Sequence, residues 1–220
     1  HLNNRRVGVV GLGVGTLAAY GNPGDDFRFY EINPGVVRLV CRPLEGSDPN
    51  TKYYFTYLDY LDKHDIEYKI IMGDARNSLE REDDWNLDVL VLDAFSSDAI
   101  PLHLLTVEAF EIYLRHMRNE QDRQGIIAVH ISNRYLNLMS ITQAMAQQFD
   151  LDIGKVESDG DSIRLQDSAT WILLSRKGGL DAILENEGVE KVEHLKNPPA
   201  FTDDFINLPG LLKGKKDAAE

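Results

Sequence analysis

The chain has 220 residues, 43% hydrophobic and 27% charged, enough to bury one full core as a soluble globular protein. Its formal net charge of −13 argues against nucleic acid as a partner, because phosphate binding needs clustered Lys and Arg, and it favours cationic ligands. No apolar run of roughly 18 residues is present, so no membrane contact is expected. The opening HLNNRR lacks the apolar stretch of a secretory signal, and a single cysteine excludes an internal disulfide and suits a reducing compartment, the cytoplasm.

In chain order, the first element is a strand from Arg5 to Leu12, running straight into VGVVGLGVGTLAAYG. Gly11, Gly13 and Gly15 follow this strand and precede a short helix expected at Thr16 to Tyr20. Glycines at such a junction let the backbone turn tightly and approach a ligand, while a helix start offers free N–H groups. The spacing is G-x-G-x-G, and Thr16 stands where the dinucleotide fingerprint needs its third glycine.

A second strand, Phe27 to Ile32, ends in FYEINP. Glu31 sits at its carboxyl end, where an acid accepts both ribose hydroxyls of an adenosine or favours the start of the following helix, Gly35 to Cys41. Cys41 lies among apolar neighbours and reads as a small buried hydrophobe. After a helix at Tyr54 to Lys63 comes the strand Glu67 to Met72 and the loop GDAR. Asp74 there either accepts from an adenine amino group, with Ala75 leaving room for the ring, or caps the helix Ala75 to Arg81.

The fourth strand, Asp88 to Leu92, leads into LDAFSSDAIP. Asp93 ends it at the topological switch point, where open α/β sheets place ligands. Asp98 lies in a Ser-rich segment closed by Pro101, long enough to act as a flap carrying His103. Thr106 reads as the N-cap of a helix running to Arg118, whose apolar positions Val107, Phe110, Tyr113, Leu114 and Met117 share one face and leave His116 on its surface.

A fifth strand, Gly125 to Ile131, ends in HISNRY, which reads as pocket lining or as a satisfied polar turn. Beyond the helix Leu138 to Phe149, two strands at Asp152 to Ser158 and Ala169 to Lys177 are separated by too few residues for a helical crossover and form an antiparallel hairpin. A helix over LDAILENEGV follows, broken by a Pro pair. Near-continuous apolar strands alternating with amphipathic helices define an α/β fold: a Rossmann-like seven-stranded sheet, mostly parallel with a C-terminal antiparallel hairpin and helices on both faces. Residues 1–200 make one catalytic domain, and 201–220 a tail expected to be partly disordered. The six histidines show no metal-ligating spacing, so no metal is expected.

With GLGVGT, YEINP, GDAR and LDAFSSDAIP in that order, the stretch from Arg5 to Lys177 resembles the spermidine synthase family of polyamine aminopropyltransferases. The resemblance implies transfer of an aminopropyl group from decarboxylated S-adenosylmethionine to a small-molecule amine such as putrescine, and a homodimer as the assembly. It implies that Gly11, Gly13, Gly15, Glu31, Asp74 and Ala75 bind the adenosyl co-substrate. Asp93 prepares the amine, and Asp98 corresponds loosely to the second acid of the family's D-S-S-D-P loop, here with two residues inserted.

The chain departs from the family at Val14, where members often carry an acid that contacts the aminopropyl amine. The resemblance does not include the family's N-terminal β-domain, and DSIRLQDSATWILL lacks its aromatic-rich segment. Two alternatives share these motifs: a methyltransferase using ordinary S-adenosylmethionine on a small molecule, and a non-catalytic adenosyl-nucleotide-binding module.

Overall fold

A computed structural model describes residues 4–41, 55–94, 101–121, 123–133, 136–161, 167–185, 188–193, 195–196, 198, 201–205 and 211–212. In chain order the elements are β1 (Arg6–Val10), β2 (Asp26–Glu31), α1 (Pro34–Cys41), α2 (Tyr57–Lys63), β3 (Glu67–Met72), α3 (Ala75–Arg81), β4 (Val89–Leu92) and α4 (Val107–His116). A two-stranded ladder, β5 (Asn119–Glu120) and β6 (Arg123–Gln124), precedes β7 (Ile126–His130) and α5 (Leu138–Gln148). The hairpin strands β8 (Leu151–Ser158) and β9 (Ala169–Arg176), the short α6 (Asp181–Leu184) and β10 (Val189–Lys191) complete the order.

Strand order in the main sheet is β10-β8-β9-β7-β4-β1-β2-β3. The ladders β7-β4-β1-β2-β3 are parallel; β9 runs antiparallel to β7 and β8, and β10 antiparallel to β8. Side chains alternate between the two faces, as a pleated strand requires. Val7, Val9, Phe27, Phe29 and Val91 pack with Ala18, Val40, Leu58 and Leu61 on one face. Val10, Tyr30, Leu90 and Leu92 pack with Leu79, Phe110, Tyr113 and Ile141 of α3, α4 and α5 on the other.

The sheet has eight strands, one more than the seven expected. Val189 does not close a helix running from Leu180; helical structure stops at Leu184, and Gly188 (φ +97°) turns the chain into β10. There Val189 pairs with Val156, and Glu190 reaches Lys155 at 2.7 Å, covering an edge of β8 that otherwise exposes unpaired backbone. Thr16–Tyr20, expected as a short helix, is a 3-10 helix over the same residues, and Gly24 (φ +91°) lies in the turn that leads into β2.

Two side chains sit differently from expectation. His116 is fully buried, since the last turn of α4 faces α3 and places its Nε2 2.7 Å from the Leu79 carbonyl. Cys41 is exposed at the last position of α1, with Val40 taking the buried place. Beyond residue 200, Phe201 is 1% exposed within the main core, with the Val107 amide donating to its carbonyl at 2.9 Å, and Leu211 is buried, whereas Phe205 and Leu212 are exposed. Among the described residues no helix is long and apolar enough to cross a membrane.

The amino ends of the strands are held by two acids. Asp25 accepts from the Arg5 amide (2.8 Å), the Asn22 amide (2.8 Å) and the Arg5 guanidinium (3.1 Å), with its own side chain fully buried. Asp88 accepts from the Arg6 amide and from Arg118, both at 2.8 Å. Burial raises the Asp25 carboxyl, but these hydrogen bonds outweigh it and hold the group below the ordinary aspartate value. Asp25→Ala is expected to lower stability by about 2–3 kcal/mol, because it leaves the Arg5 and Asn22 amides and the partly exposed Arg5 guanidinium without their acceptor. Because the native pKa is depressed, Asp25 contributes above the unfolded-state value and that contribution fades as pH falls through the native one. Urea unfolding at pH 7 and pH 3 checks this: the gap in stability between wild type and variant is expected to be smaller at pH 3 than at pH 7.

Candidate active site

Four strand carboxyl ends meet at one cleft because their parallel register continues one residue past each strand. The Gly11 amide donates to the Tyr30 carbonyl, the Gly73 amide to that of Glu31 and the Asp93 amide to that of Val10, each at 2.9 Å. The cleft has a volume of about 440 Å³ and is lined by Gly11, Gly13, Glu31, Asp74, Ala75 and Asp93 among others. Of the residues the sequence singles out, Gly15 sits apart, packed toward Leu58 and Tyr57, and Asp98 lies outside the described residues.

The two cleft glycines serve different needs. Gly11 has φ +94°, and a Cβ there would stand 2.5 Å from the Asp93 carbonyl oxygen, so the residue is demanded by the approach of one strand end to another. Gly13 has φ +53° with nothing within 4 Å of a Cβ, so its backbone faces open space.

Glu31 is 8% exposed and organises the glycine loop: Oε2 accepts from the Leu12 amide at 3.0 Å, and Oε1 from the Asn33 amide at 2.7 Å. Each oxygen keeps further acceptor capacity, and Glu31 lines the cleft. Tyr30 beside it donates its hydroxyl to Glu82 at 3.0 Å, and burial together with that carboxylate raises its pKa, so it stays a neutral phenol.

Asp74 realises the capping role: Oδ1 accepts from the Asn77 amide at 2.9 Å. Its Oδ2 lies 2.9 Å from His103 Nε2. Burial raises this carboxyl, but the Asn77 amide and His103 outweigh it and hold the pKa below the ordinary value, so Asp74 is an anion in the cleft wall. The His103 carbonyl is in turn held by Arg76 at 3.0 Å, and Arg76 also grips Asp203, which accepts from Thr106 at 2.9 Å. The segment after Pro101, α3 and the residues around Asp203 thus form one clamp on the Asp74 side of the cleft.

Asp93 projects from the end of β4 with its side chain 38% exposed; Oδ1 is 2.8 Å from His130 Nδ1. His130 Nε2 is 2.8 Å from Ser132 Oγ, and its ring stacks on Trp171 at 4.6 Å between centroids. His130 is therefore a partner for Asp93, and Asn133 Oδ1 accepts from the Leu136 amide at 2.7 Å; residues 134 and 135 of HISNRY lie outside the described residues. The His103–Asp74 contact is the other pairing the sequence reading missed; its only signal was a histidine two residues past the proline that closes the flap. Among the described residues no group of three or more His, Cys, Asp or Glu is arranged to hold a metal ion.

This topology and the cleft at its switch point define a fold of the class I S-adenosylmethionine-dependent methyltransferase type. Among solved structures it is similar to a probable spermidine synthase from Corynebacterium glutamicum ATCC 13032, at 16% identity and TM-score 0.57, over 93% of this chain and 74% of that one. It is also similar to the cofactor-bound Rv0187 protein from MTB, at 16% identity and TM-score 0.50, over 79% of this chain and 74% of that one. A SAM-dependent methyltransferase from Archaeoglobus fulgidus aligns at 13% identity and TM-score 0.48, over 79% of this chain and 86% of that one. No family model and no curated protein matches the sequence. At these identities the likeness shows the fold alone.

The glycine pair gives a direct test of the cleft. Gly11→Ala is expected to lose about 3 kcal/mol of stability through strain and its clash with the Asp93 backbone, while Gly13→Ala loses only about 1 kcal/mol. Denaturant midpoints of the two variants, measured side by side, check this order.

Proposed function

We propose that the chain is an aminopropyltransferase-like enzyme that uses an adenosyl sulfonium, decarboxylated S-adenosylmethionine, to alkylate a small amine. The observation that carries this reading is the charge of the cleft. Glu31, Asp74 and Asp93 line it, and among its described lining residues there is no Lys or Arg. Decarboxylated S-adenosylmethionine and a protonated amine are both cations, and a wall of carboxylates suits both.

Each acid has a task. Glu31, fixed by two loop amides, offers its remaining lone pairs to the ribose hydroxyls, and Asp74 accepts from the adenine amino group beside Ala75. An alkyl ammonium has a pKa near about 10 and cannot attack until it loses a proton. Asp93 binds that cation and accepts the proton as nitrogen attacks carbon. The sulfonium supplies its own leaving group, a neutral thioether, so the protein's remaining work is to align nitrogen, carbon and sulfur. Asp98 belongs to the same proposal as a second contact for the amine.

Val14 favours a second reading, methyl transfer from ordinary S-adenosylmethionine, because an apolar residue in the glycine loop does not select against the amino-acid carboxylate. Calorimetric titration with decarboxylated and ordinary S-adenosylmethionine separates the two: the proposal expects tighter binding of the decarboxylated form, and the reverse preference overturns it. Asp93→Asn is expected to abolish aminopropyl product while leaving affinity for the adenosyl ligand within about 2-fold, since the change removes a transition-state role and little ground-state binding. Unchanged turnover with putrescine would remove Asp93 from the mechanism.

A further inference from the structure

We propose that His130 is the positioning residue for Asp93, an inference that rests on the proposed role of Asp93 as the base. His130 does not line the cleft; it supports Asp93 from the neighbouring strand. A carboxylate only accepts hydrogen bonds, so the 2.8 Å contact from Nδ1 to Oδ1 requires a proton on Nδ1. In the neutral ring Nε2 is then an acceptor, and its partner at 2.8 Å, Ser132 Oγ, must donate.

Ser132 is free to donate because its oxygen is already oriented by another group: the Thr170 amide donates to it at 2.8 Å. The chain of donors runs one way, from the Thr170 amide through the Ser132 hydroxyl and the His130 ring to Asp93. The ring plane is set independently, since His130 and Trp171 are cross-strand partners in the β7–β9 ladder and stack within 11° of parallel. Three restraints on one imidazole fix Oδ1 of Asp93 and leave Oδ2 for the amine. A second-layer carboxylate–imidazole pair of this kind holds a reacting group to the accuracy that proton transfer needs.

Two measurements test it. Nitrogen-15 NMR of the histidine rings at pH 8 is expected to find His130 protonated on Nδ1 with Nε2 as acceptor, the tautomer that free imidazole side chains disfavour; a proton on Nε2 overturns the assignment. In an aminopropyl transfer assay, His130→Ala is expected to lower kcat about 10²-fold while the KM for decarboxylated S-adenosylmethionine stays within about 2-fold. His130→Asn, whose amide reaches the Nδ1 position, is expected to recover about 10-fold of that loss. An unchanged kcat in His130→Ala overturns the proposal. If the wild type forms no aminopropyl product at all, the proposed function falls, and the ring tautomer alone decides whether His130 is oriented as inferred.

Discussion

The close approach of Gly11 to the Asp93 carbonyl is the contact on which the site depends. β1 and β4 run side by side in the parallel sheet, and just past their last paired residues, Val10 and Leu92, Gly11 and Asp93 both line the cleft. With any side chain at Gly11, the two strand ends would be forced apart, since 2.5 Å is closer than a Cβ and a backbone oxygen approach. The same contact places Asp93 beside the glycine loop, so the glycine wall of the cleft and its acid at the end of β4 share one piece of backbone.

Around that point each acid works twice. Glu31 ties the glycine loop to β2 before it has anything to offer a ligand, and Asp74 caps α3 before it faces the cleft. A carboxylate already held by backbone amides keeps its geometry in the absence of ligand, which lowers the cost of ordering on binding. Such double use also explains why the cleft tolerates three nearby acids. The negative charge is met by fixed N–H donors and histidines, with the guanidinium of Arg76 turned toward Asp203.

The antiparallel half of the sheet has a role beyond closing the fold. Because β9 returns alongside β7, it brings the Thr170 amide to Ser132 and the Trp171 ring to His130, and through them acts on Asp93 in the parallel half. At the far ends of the same strands, Asp25 and Asp88 bind arginines and carry no part of the cleft. The strands separate a site at their carboxyl ends from a purely structural set of ion pairs at their amino ends.

By itself the sequence determined what is local. The apolar strand runs, the glycines after β1, the acids at the ends of β2 and β4 and the Thr106 cap are legible because each depends on neighbours a few residues away and on a fixed period of 2 or about 3.6. What depends on distant backbone was decided by the tertiary structure. Val189 is a strand residue through its pairing with β8, and Phe201 packs in the core while its carbonyl accepts from the Val107 amide, nearly a hundred residues earlier. His116 was buried by a helix more than thirty residues earlier in the chain. Likewise Asp93 and His130 lie 37 positions apart, and no spacing rule joins them; a parallel ladder between β4 and β7 does, because hydrogen-bond register sets side chains on adjacent strands side by side whatever the length of chain between them.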